Sequence, residues 1–233
     1  WAAGGGPAGL RSPVVFYGVN GQDMHELDSP SFFNPTEAEK IVEVVELLLS
    51  STKVQVTTAD IGIISAFRMQ VLKLRHLLRA KNLSAINVGQ VEHFQGQEER
   101  IVLISTTLSQ RHAAATDGTD GRLGFLGDPK KFNVAVTRAK ALLIVFGSPF
   151  LLMKEPYWKE MFQYAVSNGT YRGCACPGVA GTEDAGSDDL FLQTVARLSL
   201  LGSGAFDQQF PGDGRPAAAG FFDNDEPEWR VAL

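Results

Sequence analysis

The sequence predicts an α/β domain: a mostly parallel sheet with helices on both faces. Three observations predict it. The candidate strands, among them Ile61–Ser65, Ile101–Thr106 and Leu142–Phe146, are short and apolar throughout, without the alternation of a half-solvated sheet. Amphipathic segments with apolar residues at i, i+3, i+4 and i+7 lie between them. Strand and helix patterns alternate along residues 13–176, whereas residues 177–233 turn to Gly, Ala, Asp and Ser and read as a largely disordered acidic tail.

Each element has its local reason. Residues 1–12 are Gly- and Ala-rich and read as a flexible lead-in or a cut end. Pro13–Val19 is β-rich and gives the first strand; residues 20–34 are a polar surface loop. Asn34-Pro35-Thr36-Glu37 is a helix start, with Asn34 as cap, Pro35 in the first turn and Glu37 placed to close a capping box. The helix that follows lines up Ala38, Ile41, Val42, Val45, Leu48 and Leu49 on one face. A second helix, from about Met69 to Lys81, buries Val71, Leu74 and Leu78 and turns Lys73, Arg75 and Arg79 outward. Ile86–Val91 is a strand, Leu108–Asp128 a long loop, Pro129–Ala139 a helix and Leu142–Phe146 the last clear strand. Glu155–Val166 closes the domain, with Trp158, Met161, Phe162 and Ala165 on one stripe. Within the tail, Leu190–Leu201 is a helix-like island, and Glu226–Leu233 is a candidate docking peptide or a tail end without a partner.

Bulk composition narrows the function classes. No apolar run is long enough for a membrane span and the first residues lack a signal pattern, so a soluble intracellular protein is expected. Cys174 and Cys176 form a single C-x-C with no second pair at metal-ligand spacing, and they read as free thiols in a loop. No metal site is expected. The net charge is −5, but residues 61–140 hold 12 Lys+Arg against 6 Asp+Glu, while residues 181–233 hold 3 against 10. A local basic surface attracts a phosphate backbone whatever the whole-chain charge; a solvated helix face around Arg68–Lys81 accounts for part of that balance.

Arg138 stands near the end of the predicted helix and just before a buried strand, between the small residues Thr137 and Ala139. A rigid guanidinium at such a junction suits a phosphate or a developing phosphoryl charge, and the other reading is an arginine paired with a carboxylate. Ser65 falls at the carboxyl end of its strand, where open α/β sheets place ligands.

Three stretches, Ile61–Gln70 (IGIISAFRMQ), Val91–Glu98 (VEHFQGQE) and Phe132–Pro149 (FNVAVTRAKALLIVFGSP), resemble motifs IV, V and VI of the Upf-one-like superfamily 1 helicases, in the family's order. Leu123–Lys140 and Glu226–Leu233 look like the Moloney-leukaemia-virus-ten/Armitage RNA helicase branch. The resemblance implies a RecA-like domain carrying Arg138 as arginine finger. It also implies that Glu98 and Gly96 face the nucleotide and that Gln95 links the nucleotide pocket to the nucleic-acid groove. Ser65, Phe67, Gln90 and Val91 match positions on the RNA side. Gln90 stands where the family has Ser or Thr, Ala66 where it has Pro and Phe67 where it has Tyr. Other readings remain for three of these: Glu98 as a surface charge beside Glu99, Gly96 as a plain turn glycine and Phe67 as a core aromatic.

No G-x-x-x-x-G-K-[ST] occurs in the 233 residues, and no Asp-Glu pair follows a buried strand. The resemblance therefore implies the second RecA-like domain of an ATP-dependent RNA helicase, expected to be inactive alone. ATP and Mg²⁺ would be bound jointly with a first RecA-like domain of the same longer protein. Single-stranded RNA is the implied partner, with 5′ to 3′ movement. Silencing or decay proteins are implied at the tail, and the implied location is cytoplasmic, in ribonucleoprotein granules. The alternatives are a catalytically inactive RecA-like platform for RNA or protein and a superfamily 1 DNA helicase.

Overall fold

The computed structural model describes residues 12–25, 31–51, 55–109, 124–176 and 179–180. In chain order the elements are β1 (Val14–Gly18), β2 (Met24–His25), β3 (Phe32–Phe33), α1 (Pro35–Ser50), β4 (Ile61–Ser65), α2 (Arg68–Ala80) and β5 (Asn87–Gln90). Then follow β6 (Glu99–Ser105), α3 (Pro129–Val136), β7 (Ala139–Gly147), α4 (Pro149–Leu152), α5 (Pro156–Ser167) and β8 (Tyr171–Gly173). Six strands form one sheet in the order β5-β4-β6-β7-β1-β8, and every pairing in it is parallel. β2 and β3 make a small antiparallel pair. This is a RecA-like α/β fold. The lead-in, the middle of the long loop at 110–123, and almost all of the tail with its terminal peptide lie outside the described residues.

Strand side chains alternate between two cores. Ile61, Ile63, Val88, Ile101, Leu103 and Ile144 pack under α1 and α2, while Phe16, Ile64, Val102, Ile104 and Val145 pack under α5 and its neighbours. Both faces are covered, so each strand is apolar along its whole length. The stripe on α5 behaves as read: Trp158, Phe162 and Ala165 are buried and Met161 is packed against them.

Two differences from the sequence reading matter for the sheet. Leu142–Phe146 is not the last strand, because Tyr171–Gly173 adds at the edge beside β1. Three residues carry too little pattern to be read as a strand; tertiary packing makes it one. Tyr171 stacks on Phe16 at 5.9 Å and meets Phe162 edge-on at 5.3 Å. The second difference is Glu37, which does not close a capping box. Asn34 accepts from the Glu37 N–H at 3.1 Å as read, but the Asn34 N–H donates to Gln70 Oε1 at 2.8 Å. The Glu37 carboxylate turns into the protein instead.

Cys174 is partly exposed and Cys176 buried, and neither is in a disulfide. Burial pushes both thiols above the ordinary range. Among the described residues no helix is long and apolar enough to cross a membrane, and no group of His, Cys, Asp or Glu is placed to hold a metal ion.

Candidate active site at the amino edge of the sheet

β6 and β7 begin side by side, with Glu99 opposite Ala139. The Glu99 N–H donates to the Arg138 carbonyl at 3.0 Å. Arg138 sits in the bend between that pairing and the helix, which ends at Val136 and not at Ala139 as the sequence suggested. Thr137 covers the helix end, its hydroxyl donating to the carbonyls of Asn133 at 2.8 Å and Val134 at 3.1 Å. At the other end Asp128 accepts from the N–H groups of Lys130 and Lys131, and Pro129 opens the first turn. Phe132 meets buried Trp158 edge-on at 4.8 Å, and Trp158 donates from Nε1 to Leu126 O at 3.1 Å. α3 is thus anchored at cap, face and terminus.

The Arg138 guanidinium rests on neutral acceptors. Its Nε donates to Val134 O at 3.0 Å, one terminal nitrogen to Gln97 O at 3.4 Å and the other to Thr137 Oγ1 at 3.0 Å. No carboxylate pairs with it among the described residues.

The Gln97 carbonyl belongs to the second part of the site. Val91–Phe94 is a single 3₁₀ turn lying flat on the sheet. Two glycines permit this. A Cβ on Gly62 would come within 2.8 Å of the Phe94 ring, and one on Gly89 within 2.7 Å of the His93 ring. Asn87 donates to Gln97 Oε1 at 3.0 Å, and His93 Nε2 lies 3.1 Å from Asn87 Oδ1. Lys131 of α3 pairs with Glu92 at 2.7 Å. Their shared hydrogen bond holds the Glu92 carboxyl below and the Lys131 ammonium above their usual ranges. Both side chains are about half exposed, so the pair orients more than it stabilises, contributing at most about 1 kcal/mol. Gly96 has φ +77° with open space around it, a conformation that favours glycine. Gln95, Gly96 and Glu98 are all exposed. The fold therefore brings the Gln95–Glu98 turn beside Arg138, at the starts of β6 and β7.

The four residues expected on the RNA side fall at the opposite, carboxyl edge. Ser65 and Gln90 end β4 and β5 side by side. Ser65 is fully buried, Val91 is 2% and Phe67 8% exposed. The side chains of these three are covered: the Ser65 hydroxyl lies 3.3 Å from Thr107 Oγ1, and Phe67 packs edge-on against Phe32 at 5.5 Å. They shape the strand ends from inside. Gln90 alone of the four is partly exposed.

Sequence reading missed what supports this edge. Ser105 Oγ donates to Glu37 Oε1 at 2.6 Å and accepts from Gln70 Nε2 at 3.0 Å. The Thr107 N–H also donates to Glu37 Oε1, at 2.9 Å, and Asn34 Nδ2 donates to Thr107 O at 3.1 Å. Thr107 takes φ +71°, strained for a β-branched residue and held by these bonds. Glu37 is fully buried. Desolvation pushes its carboxyl up to about 8, with the Ser105 and Thr107 hydrogen bonds opposing. The one available signal was a glutamate and a glutamine at the starts of two helices, and that pattern is shared by every exposed helix start.

The strands β1 to β7, the Arg138 junction and the adjoining turn lie within the residues matched by a family model. The model, described as AAA domain, matches residues 8–149, from before β1 into the start of α4. The chain belongs to this Upf-one-like helicase family. Its relatives include the human protein named RNA helicase Mov10l1, 46% identical over 165 residues, which are 71% of this chain and 14% of that protein. The chicken protein named putative helicase MOV-10 is 44% identical over 173 residues, 69% of this chain and 18% of its own length. The Drosophila melanogaster protein named probable RNA helicase armi is 39% identical over 164 residues, 70% of this chain and 14% of its own length. The chain thus spans less than a fifth of the length of each of these relatives. The exposed Gln95–Glu98 turn and Arg138 both lie within the residues that the family model matches.

Proposed function

We propose that this chain is the second RecA-like domain of an ATP-dependent RNA helicase and that Arg138 is its arginine finger. One observation carries the reading: Arg138 is a fixed guanidinium at a sheet edge whose charge, among the described residues, meets only neutral acceptors. An incoming γ-phosphoryl group would replace the long 3.4 Å contact to Gln97 O with a charge-assisted bond. The guanidinium would then neutralise charge in the transition state, an effect worth about 10³–10⁵ in rate where such fingers have been removed.

The other residues have supporting roles. Exposed Glu98 and Gln95 would face the nucleotide, and Gly96, free of neighbours, would let the backbone approach it closely. The residues present suit the outer side of a terminal phosphate. The sequence holds no phosphate-cradling loop and the described residues hold no cluster for Mg²⁺, so ATP and Mg²⁺ would be held jointly with a first RecA-like domain of the same longer protein. Mg²⁺ would there offset phosphate charge. Gln90 at the carboxyl edge would touch single-stranded RNA. The printed names of the human and fly relatives, both RNA helicases, favour RNA over DNA. A role in silencing or decay, in cytoplasmic ribonucleoprotein granules and with tail-bound partners, completes the proposal.

The test is RNA-stimulated ATP hydrolysis by a protein holding both RecA-like domains, wild type against Arg138→Ala at saturating ATP. The expected result is a loss of at least about 10²-fold in kcat with RNA affinity nearly kept. An unchanged kcat removes Arg138 from the transition state. An inactive wild type that still binds RNA supports the inactive-platform reading instead.

A further inference from the structure

The cations of α2 divide by face. Lys81, just beyond its end, pairs with Glu46 of α1 at 3.0 Å. On a different face Arg68, Leu72, Arg75 and Arg79 recur at spacings of four, three and four residues, which sets them in one narrow stripe. All four are exposed. The helix contains no Asp or Glu. Arg68 and Arg79 have no hydrogen bond or ion pair among the described residues. Arg75 is fixed in place: its Nε and one terminal nitrogen both donate to Val88 O, at 3.1 and 2.6 Å. Its other N–H groups stay free for a second acceptor.

Val88 lies on β5, the edge strand of the sheet. Between the stripe and that strand opens a cavity of about 240 Å³ lined by Arg75, Arg79, Ser84 and Asn87 over Leu78 and Ile86, with no carboxylate in its wall. The stripe begins at Arg68, three residues past Ser65, and Ser65 pairs with the partly exposed Gln90. From Arg68 to Arg79 it runs about 16 Å at 1.5 Å per residue. It therefore extends from the edge assigned above to RNA down the open flank of the domain.

We propose that this α2–β5 flank binds the phosphate backbone of single-stranded RNA through Arg68, inside the Ile61–Gln70 stretch, and through Arg75 and Arg79, which lie beyond the helicase motifs. The proposal rests on the RNA reading above. Unpaired guanidiniums match phosphate geometry, and Arg75 is ordered before binding, so little side-chain freedom is lost on contact. Contacts of this kind position a strand without reading its sequence. Leu72, 46% exposed in mid-stripe, gives a base or ribose an apolar surface beside the charges.

The test is fluorescence anisotropy of a labelled single-stranded oligouridylate with the 233-residue chain across a salt series. Arg68→Ala/Arg79→Ala is compared with wild type and with Lys73→Ala, which removes a charge from another face of α2. The double variant is expected to keep its melting temperature and to bind more weakly at low salt. Its log K against log[salt] slope is expected to be shallower by about 1.4, at about 0.7 per phosphate contact, with Lys73→Ala close to wild type. Wild-type binding with an unchanged slope in the double variant overturns the proposal and leaves the helicase reading standing. So does an equal loss per charge in Lys73→Ala, or retained RNA binding with lost binding to poly-glutamate, which assigns the stripe to an acidic polypeptide. A wild-type chain that binds no RNA removes the RNA reading itself, and this proposal with it.

Discussion

Glu37 and Arg138 are both ionisable residues near an end of the same parallel sheet, and their surroundings differ in kind. Glu37, by the carboxyl edge, is fully buried and receives two hydrogen bonds on one oxygen, from Ser105 and Thr107. Its other oxygen has no hydrogen-bond partner among the described residues. Arg138, at the amino edge, is partly exposed and meets two carbonyls and a hydroxyl. The first arrangement is closed: its polar groups serve each other, and removing one strands another in a buried place. The second is open: its contacts are neutral and can be exchanged for an anion. An ionisable group that is shut into the fold and a charge available for chemistry are told apart here by their partners.

The largest effect on this comparison comes from removing the support beneath α3. Trp158→Ala deletes the largest fully buried side chain, together with its hydrogen bond to Leu126 and its edge contact with Phe132. A loss of about 3–5 kcal/mol is expected by urea unfolding, and any loss of ATPase activity should then accompany unfolding. A loss under about 1 kcal/mol would mean that α3 is held by its caps alone.

Next in size is the proton on Glu37. Its folded pKa is raised from 4.5 to about 8, so between those values the folded state keeps a proton that the unfolded chain has released. The contribution of this group is greatest at and below the ordinary carboxyl range, falls as pH rises towards about 8 and is flat above. The drop should be on the order of a few kcal/mol. Glu37→Gln keeps the shape and removes the titration, so its unfolding free energy should lose that slope and exceed wild type at pH 8. A slope that survives the substitution would locate the titrating group elsewhere.

Gly96→Ala is the smallest of the three and sharpens the open side. No atom lies within 4 Å of the added Cβ, yet φ is +77°. The cost is therefore backbone strain alone, about 1–2 kcal/mol. No loss in a thermal melt would show that the turn relaxes to a negative φ.

How legible each edge was in the sequence follows the same division. The parallel sheet could be read because strands buried on both faces are apolar at every position, as at Ile61, Ile63 and Ile64. Arg138 and the Gln95–Glu98 turn could be read because they are local stretches of chain with a recognisable resemblance. The carboxyl edge could not. Its bonds join Glu37 to Ser105 and Asn34 to Gln70, residues 68 and 36 apart, and no local pattern marks such a pair. The local rule gave Glu37 to the helix cap, and the buried Ser105 hydroxyl and Thr107 N–H outcompeted it. The burial of Ser65 was hidden in the same way: its hydroxyl lies against Thr107, 42 residues away, and nothing local marks that contact. β8 escaped notice because three residues become a strand only when Phe16 and Phe162 supply a seat for Tyr171.

The most direct test of the central claim is melting temperature and RNA-stimulated kcat measured together on Arg138→Ala, in a protein holding both RecA-like domains. An open, chemical arginine predicts an unchanged melting temperature beside a kcat lowered by at least about 10²-fold. A melting temperature that falls while kcat, measured well below it, stays at the wild-type value would make Arg138 a structural residue like Glu37 and contradict the account.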